Sequence, residues 1–120
     1  MNTPANDRAS VDNLVAAMGL ESSEFESRKN FAQFTDEDAQ ILKEIAPTVR
    51  ARRDWIVDQF YENITTYPDL LNLIKNAGSN VDALKGTQKV YLDDIVSGIY
   101  DKDYMERRIR IGAVHCRIGL

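Results

Sequence analysis

The residue with the most distinctive chemistry in this sequence is His115, the only histidine among 120 residues. It lies late in a predicted helix, where Ile111 and Ile118 fall on the same helix face. Gly112 and Gly119 add little bulk to that face and let another group approach the backbone closely. A neutral imidazole on an apolar face is suited to bind a buried metal centre. The alternative is a structural histidine bonded to a backbone carbonyl.

The number of donors limits which metal site His115 can join. A zinc ion takes three or four protein ligands, whereas this sequence has no second histidine and one cysteine, Cys116. A haem iron needs only one protein ligand, because the porphyrin supplies four nitrogens. The residue types therefore favour haem over zinc. Cys116 points about 100° away from His115 around the helix axis, so we predict no Cys–His catalytic pair. Packing is the predicted role of Cys116.

A histidine phosphotransfer domain is a different interpretation of the same histidine. Such a domain is a helical bundle with an exposed histidine, followed shortly by a lysine and a glycine. Gly119 fits that spacing, but Ile118 stands where the lysine would bind the phosphoryl group, and isoleucine carries no charge. A third interpretation, an interaction module without a cofactor, stays open for the N-terminal segment.

Other charged residues indicate no further chemistry. Two acidic pairs, Asp93–Asp94 and Asp101–Asp103, are expected at exposed positions or helix caps, so no enzymatic activity is predicted within these residues. Two basic clusters, Arg50–Arg53 and Arg107–Arg110, are expected on solvated helix faces. The formal net charge of −4 and the absence of a dominant basic stripe argue against a nucleic-acid partner.

The hydrophobic pattern predicts an all-α chain, because apolar residues recur at helical spacing and no strand alternation or hairpin signal occurs. Residues 21–30 form either a short helix or a connection. The other predicted helices span residues 11–20 with a stop at Gly19, 35–46, 47–65, 68–76, 81–97 and 101–118. Thr35, Asn80 and Asp101 are predicted helix caps, and Pro47 is predicted to end or kink its helix near Ala46.

The two ends of the sequence and its single cysteine give expectations about the limits of the domain and its location in the cell. Residues 1–10 are polar and predicted to be a disordered tail without the features of a signal peptide. No apolar run approaches the roughly 20 residues of a membrane span. The lone cysteine suits a reducing compartment, so a cytoplasmic location is expected. The apolar ending 118–120 suggests a fragment, or an output region that follows.

Four segments resemble, in order, motifs of the globin-coupled sensor and protoglobin family. Residues 56–61 resemble the B-helix motif, 81–85 the start of the E helix, 98–104 the E–F connection and 108–120 the proximal helix. The resemblance implies an all-α, globin-like sensor domain over residues 31–120, preceded by an N-terminal helical extension over 11–30. It also implies that this chain lacks the last two globin helices.

The resemblance assigns roles to particular residues. It implies haem b as the cofactor and His115 as the proximal iron ligand. Tyr61 matches the B-helix tyrosine whose hydroxyl donates a hydrogen bond to bound dioxygen; an ordinary core tyrosine is the alternative. Four further residues match the pocket: Leu84 and Thr87 on the distal side, and Phe60 and Ile111 in the walls. Gln88 is a further candidate on the same helix face, and ordinary core packing is the alternative for Leu84. Thr87 could instead bond the carbonyl four residues back.

The function implied by the resemblance is reversible binding of dioxygen, carbon monoxide or nitric oxide. Gas binding would signal, in a homodimer, to a C-terminal output region such as an aerotaxis transducer or a diguanylate cyclase. A free-standing protoglobin without an output region is the alternative within the family.

Overall fold

The computed structural model describes residues 5–18 and 22–120, which contain six helices and no strand. The prediction of an all-α fold is therefore confirmed. The helices are α1 (Ala5–Ala17), α2 (Ser22–Phe31), α3 (Asp36–Ile64), α4 (Pro68–Asn76), α5 (Val81–Ile95) and α6 (Lys102–Arg117). Within the described ranges, no helix combines the length and hydrophobicity that crossing a membrane requires.

The N-terminal helix begins at Ala5, inside the segment that the sequence predicts to be disordered. Short helices gain most of their stability from packing, and α1 packs against α6 with Val11 buried. Residues 1–4 of the predicted tail and the predicted stop at Gly19 lie outside the described residues. The segment that follows is helical rather than a connection, since α2 buries Phe25 and also contacts α6.

The longest helix, α3, begins with a reciprocal cap. The Thr35 hydroxyl accepts a hydrogen bond from the Asp38 amide at 3.2 Å, and the Asp38 carboxylate accepts one from the Thr35 amide at 2.9 Å. Of the two outcomes predicted for Pro47, an end or a kink, the end is wrong, because the helix continues for 29 residues with Pro47 inside it. Proline removes one backbone hydrogen bond. The helix nevertheless continues, with Ala46 buried directly before the proline and Val57 buried further along.

The buried face of α3 is marked by Val57. Val57 is completely buried, whereas Trp55 is 60% exposed. Val57 and Tyr61, four residues apart, lie on the same helix face, and α3 packs mainly against α5. Trp55 lies off that face, and Ile41 and Ile45 are each a little under half exposed.

The predicted caps of the later helices are confirmed. The Asn80 side chain accepts a hydrogen bond from the Ala83 amide at 2.9 Å at the start of α5. The Asp101 carboxylate accepts one from the Tyr104 amide at 3.0 Å at the start of α6. Both caps satisfy amides that a helix leaves free in its first turn, so the two helices begin where the local sequence requires.

The turn between α5 and α6 depends on Gly98. Its φ of +78° lies in the left-handed region that favours glycine. A Cβ at this position would lie 3.1 Å from the Lys43 side chain of α3. The turn therefore lies almost directly against α3.

Ionic contacts join α3, α5 and α6. The Arg53 guanidinium of α3 donates to Asp93 of α5 at 2.5 Å. The neighbouring Asp94 accepts hydrogen bonds from Arg107 at 2.8 and 3.2 Å and from Arg108 at 2.7 Å. The acidic pair was predicted to be exposed, but both carboxylates are half-buried. The prediction failed because their partners lie far away in sequence.

Arg108 is the most enclosed member of this network. Its guanidinium carbon lies 4.4 Å from the centre of the Tyr91 ring on α5 and 4.7 Å from that of Tyr104 on α6. Cation–π contacts of this kind favour arginine, whose planar head stacks on aromatic rings. Both basic clusters thus contribute residues that fix helix positions, beyond the solvated role expected of them.

Candidate functional site

A cavity of about 520 Å³ opens between α3, α4, α5 and α6. Its volume lies within the roughly 300–1,000 Å³ of small-molecule and cofactor sites. Every site residue expected from the sequence lines this one cavity, although the residues come from three helices: Phe60, Tyr61, Leu84, Thr87, Gln88, Ile111 and His115. The fold thus brings together residues that are up to 55 positions apart, from Phe60 to His115.

His115 reaches the cavity from the last turn of α6. Its Nδ1 lies 2.7 Å from the carbonyl oxygen of Ile111, one turn earlier. Because a carbonyl only accepts hydrogen bonds, Nδ1 carries the proton and donates, which leaves the Nε2 lone pair available to a metal. The carbonyl-bonded histidine and the metal-binding histidine, which the sequence presents as alternatives, are therefore compatible. Such a second hydrogen bond is usual for metal-binding histidines.

Cys116, the neighbour of His115, is exposed and is not among the cavity-lining residues. The prediction that it packs was wrong, because adjacent helix positions face different directions and this one faces solvent.

Tyr61 reaches the cavity from α3. It is 7% exposed, and its ring meets that of Phe60 edge-on with centroids 5.1 Å apart. Burial raises the pKa of the Tyr61 phenol above its ordinary value of 10.0, so the hydroxyl keeps its proton at neutral pH. None of the described residues takes part in a hydrogen bond with this hydroxyl. Tyr61 is thus a neutral donor at the wall of an apolar cavity.

Leu84, Thr87 and Gln88 reach the cavity from α5. Their spacing of three and four residues places them on one helix face. The Thr87 hydroxyl donates to the carbonyl oxygen of Ala83 at 3.3 Å. The alternative predicted for Thr87, a bond to the carbonyl four residues back, is therefore present. The Thr87 proton is therefore engaged within the helix, whereas Tyr61 has a free one.

Sequence reasoning missed part of the cavity wall. Leu70, Leu73 and Ile74 of α4 line it, and their helical spacing was the available signal. Ser79 and Arg110 also line it. No local pattern identifies these two, because a serine after a helix and an arginine on an amphipathic helix are common.

The residues around the cavity fit the haem that the resemblance implies. A porphyrin is a flat, mostly apolar disc, and this cavity is walled mainly by leucine, isoleucine, valine and phenylalanine side chains. His115 would supply the one protein ligand that haem iron needs. No cluster of three or more metal-ligating side chains occurs within residues 5–18 and 22–120, so a metal bound at His115 must bring other ligands with it.

Comparison with known proteins gives the same family as the sequence motifs. The family model for Protoglobin matches residues 21–120, which include α2 to α6 and every cavity residue. The heme-based aerotactic transducer HemAT of Halobacterium salinarum is 33% identical over 107 residues, which cover 89% of this chain and 22% of that protein. The chain thus spans 22% of the length of this curated relative. The extent of the family match, together with the cavity that it encloses, shows that the chain belongs to the Protoglobin family.

Proposed function

We propose that this chain is a haem-binding globin domain that senses dioxygen. One observation carries the proposal: a free imidazole nitrogen and a free phenolic hydroxyl, from α6 and α3, line the same apolar cavity. The family match and the relative named as a heme-based aerotactic transducer support it. The proposed role of these residues is binding, with no catalytic step.

His115 would bind the iron of haem b through Nε2. The hydrogen bond from Nδ1 to the Ile111 carbonyl orients the ring and makes Nε2 a better donor to a metal. When bound, haem b supplies the iron at which a diatomic gas is held. Phe60, Ile111 and Leu84 would exclude water from that gas, since they wall the cavity with apolar surface.

Tyr61 would donate a hydrogen bond to dioxygen. Dioxygen held in this cavity would accept the Tyr61 hydrogen bond well, whereas carbon monoxide would be a weaker acceptor. A hydrogen bond of this kind is worth about 1–3 kcal/mol, which changes the residence time of the gas about tenfold or more. Thr87 and Gln88 line the α5 side of the cavity, and the proposal gives them a secondary role beside the gas.

The signal would travel through α6. This helix carries His115 in its last turn and Arg107 and Arg108 near its middle, where Asp94 of α5 binds both arginines. A force on His115 therefore acts on a helix that is ionically tied to α5, and gas binding can shift the relative populations of helix positions.

We propose further that the sensor acts as a cytoplasmic homodimer that controls an output region, either in taxis or in cyclic dinucleotide synthesis. The exposed apolar side chains of α3, Ile41, Ile45 and Trp55, support association with a second copy. Sedimentation analysis of the wild type and Trp55→Glu tests this part. A dimer weakened by the substitution is expected, and a wild-type monomer at all concentrations would contradict it.

Haemin titration followed by visible spectroscopy tests the haem site. The wild type is expected to give an intense Soret band that His115→Ala weakens strongly, because the iron loses its protein ligand. Cys116→Ala is the matched control, as it changes the neighbouring exposed residue and should leave the spectrum unchanged. A spectrum that does not depend on His115 would overturn the proposal. A colourless protein that takes up phosphate from a phosphodonor would instead favour the phosphotransfer interpretation.

A further inference from the structure

Arg110 is the only lysine or arginine among the residues that line the cavity. It lies on α6, one position before Ile111, and its side chain is 45% exposed. Ser79 provides a second polar group there, since its hydroxyl oxygen is buried and has no hydrogen-bond partner among the described residues. An apolar cavity with one guanidinium and an unsatisfied hydroxyl is suited to an apolar ligand that bears a carboxylate.

In the structure, Arg110 is already engaged by the N-terminal helix. Its guanidinium forms an ion pair with Asp12 of α1, whose side chain is 48% exposed. A second polar contact lies nearby, where Arg117 donates to the Ser10 hydroxyl at 2.6 Å. Val11, buried between these two α1 residues, completes the contact. The docking of α1 onto α6 therefore depends in part on a side chain that also faces the cavity.

We propose that Arg110 binds a propionate of the haem and that this propionate competes with Asp12, so that filling the cavity loosens α1. The inference rests on the proposed haem function. Haem b carries two propionates, which need cationic or hydrogen-bonding partners. Two carboxylates at one guanidinium repel each other, so binding of one weakens binding of the other. Because coupling is reciprocal, removing Asp12 must strengthen haem binding.

Two ligands that differ only in their carboxylates test the proposal. Haemin and haemin dimethyl ester have the same porphyrin and iron, but the ester lacks the negative charges. The dissociation constant of each is measured from the Soret band and from quenching of the fluorescence of Trp55, the only tryptophan. The variants are Arg110→Gln, Asp12→Asn and the double variant. Lys102→Gln is the control, since Lys102 lies at an exposed position of the same helix and does not line the cavity.

For haemin, Arg110→Gln is expected to weaken binding about threefold to fivefold, the effect of a partly exposed ion pair. Asp12→Asn is expected to tighten binding about twofold, and the double variant should behave like Arg110→Gln. For the dimethyl ester, all three variants should equal the wild type. Arg110→Lys, which keeps the charge, should retain most of the haemin affinity if Arg110→Gln folds poorly.

Hydrogen exchange of the α1 backbone amides gives a second readout that does not use the spectrum. Haemin should speed exchange in α1, whereas the dimethyl ester should leave it unchanged. Equal effects of Arg110→Gln on the two ligands, or slower exchange in α1 with haemin, would overturn the proposal. If neither ligand gives a spectrum that depends on His115, the haem function itself fails, and that outcome is distinct from the failure of the Arg110 proposal.

Discussion

Among individual residues, Tyr61 combines burial with an unused hydrogen-bond donor. Its phenol is enclosed by the packing of α3 and faces an apolar cavity. The sequence assigns Tyr61 to this place only through the family motif, because a core tyrosine and a ligand-binding tyrosine have the same helical spacing. The bond from Thr87 to Ala83 shows the same limit, since helix geometry alone permits both roles of a threonine.

Replacement of Tyr61 by phenylalanine removes the hydroxyl and keeps the ring. We expect dioxygen to dissociate about tenfold faster from the reduced haem protein, because a hydrogen bond of about 1–2 kcal/mol is lost. Flash photolysis or stopped-flow mixing measures the rate. Tyr67→Phe is the control, since Tyr67 is 56% exposed and does not line the cavity. An unchanged rate in Tyr61→Phe would contradict the donor role.

Tyr61 also determines a pH dependence of stability. Burial raises the pKa of its phenol above the ordinary 10.0, so the unfolded chain loses this proton at a lower pH than the folded protein. The contribution of the protonated Tyr61 phenol to the free energy of unfolding is therefore fully present below pH 10. It is lost as the pH rises through the higher pKa of the folded state. We expect the free energy of unfolding, measured in urea, to fall less steeply above pH 10 in Tyr61→Phe than in the wild type. Identical slopes would show that the phenol is not protected.

At the scale of helices, the starts were predictable and the contacts between helices were not. Thr35, Asn80 and Asp101 cap their helices as expected, because a cap depends only on the next three residues. The partners of Asp93 and Asp94 are 13 to 40 residues away, beyond the reach of any local pattern. Tertiary packing likewise outweighs the local effect of a proline inside α3.

Replacing Pro47 should therefore stabilise α3. Its side chain is exposed, and alanine would restore the missing amide donor and the helix propensity. We expect Pro47→Ala to raise the free energy of unfolding by about 1–2 kcal/mol in urea denaturation, less than the full cost of an interior proline. Ala51→Pro, one turn later at another exposed position, is the opposite control and should destabilise strongly. A loss of stability in Pro47→Ala would mean that α3 needs its proline.

Asp94 should be the main ionic link between α5 and α6. Asp94→Asn removes the charge that holds Arg107 and Arg108, and leaves the half-buried Arg108 with a weaker partner. We expect a loss of about 1–3 kcal/mol in the free energy of unfolding. Asp82→Asn, at an exposed position in the first turn of α5, should cost less than 1 kcal/mol, the usual helix-dipole effect. Equal losses in the two variants would assign no special role to Asp94.

Over the whole molecule, the helices form a flattened shape with extents of 41 × 37 × 20 Å, and a cavity opens between four of them. The radius of gyration is 16.2 Å, compared with about 14 Å for a densely packed domain of this length. Val57 is the only large side chain that is fully buried within the described part of the chain. The all-α class followed from the hydrophobic pattern. The shared cavity did not, because it depends on how α3, α4, α5 and α6 cross.

A ligand that fills the cavity should stabilise the fold by mass action. Haemin at 100 times its dissociation constant is expected to add about 2.7 kcal/mol to the free energy of unfolding. Thermal unfolding at several haemin concentrations measures this effect, and the midpoint should keep rising with concentration. His115→Ala should flatten the rise. If the midpoint of thermal unfolding of the wild type does not change with haemin concentration, haemin does not bind in the cavity.

The cavity between α3 and α6 has a consequence for the living cell. On the proposed function, haem completes the interior of this domain, and the form without haem is expected to be the less stable one. Proteases act on proteins in proportion to how often they open. If the proposed haem function holds, newly made copies without porphyrin are expected to be removed first, and the amount of haem-loaded protein is expected to follow the supply of iron and porphyrin.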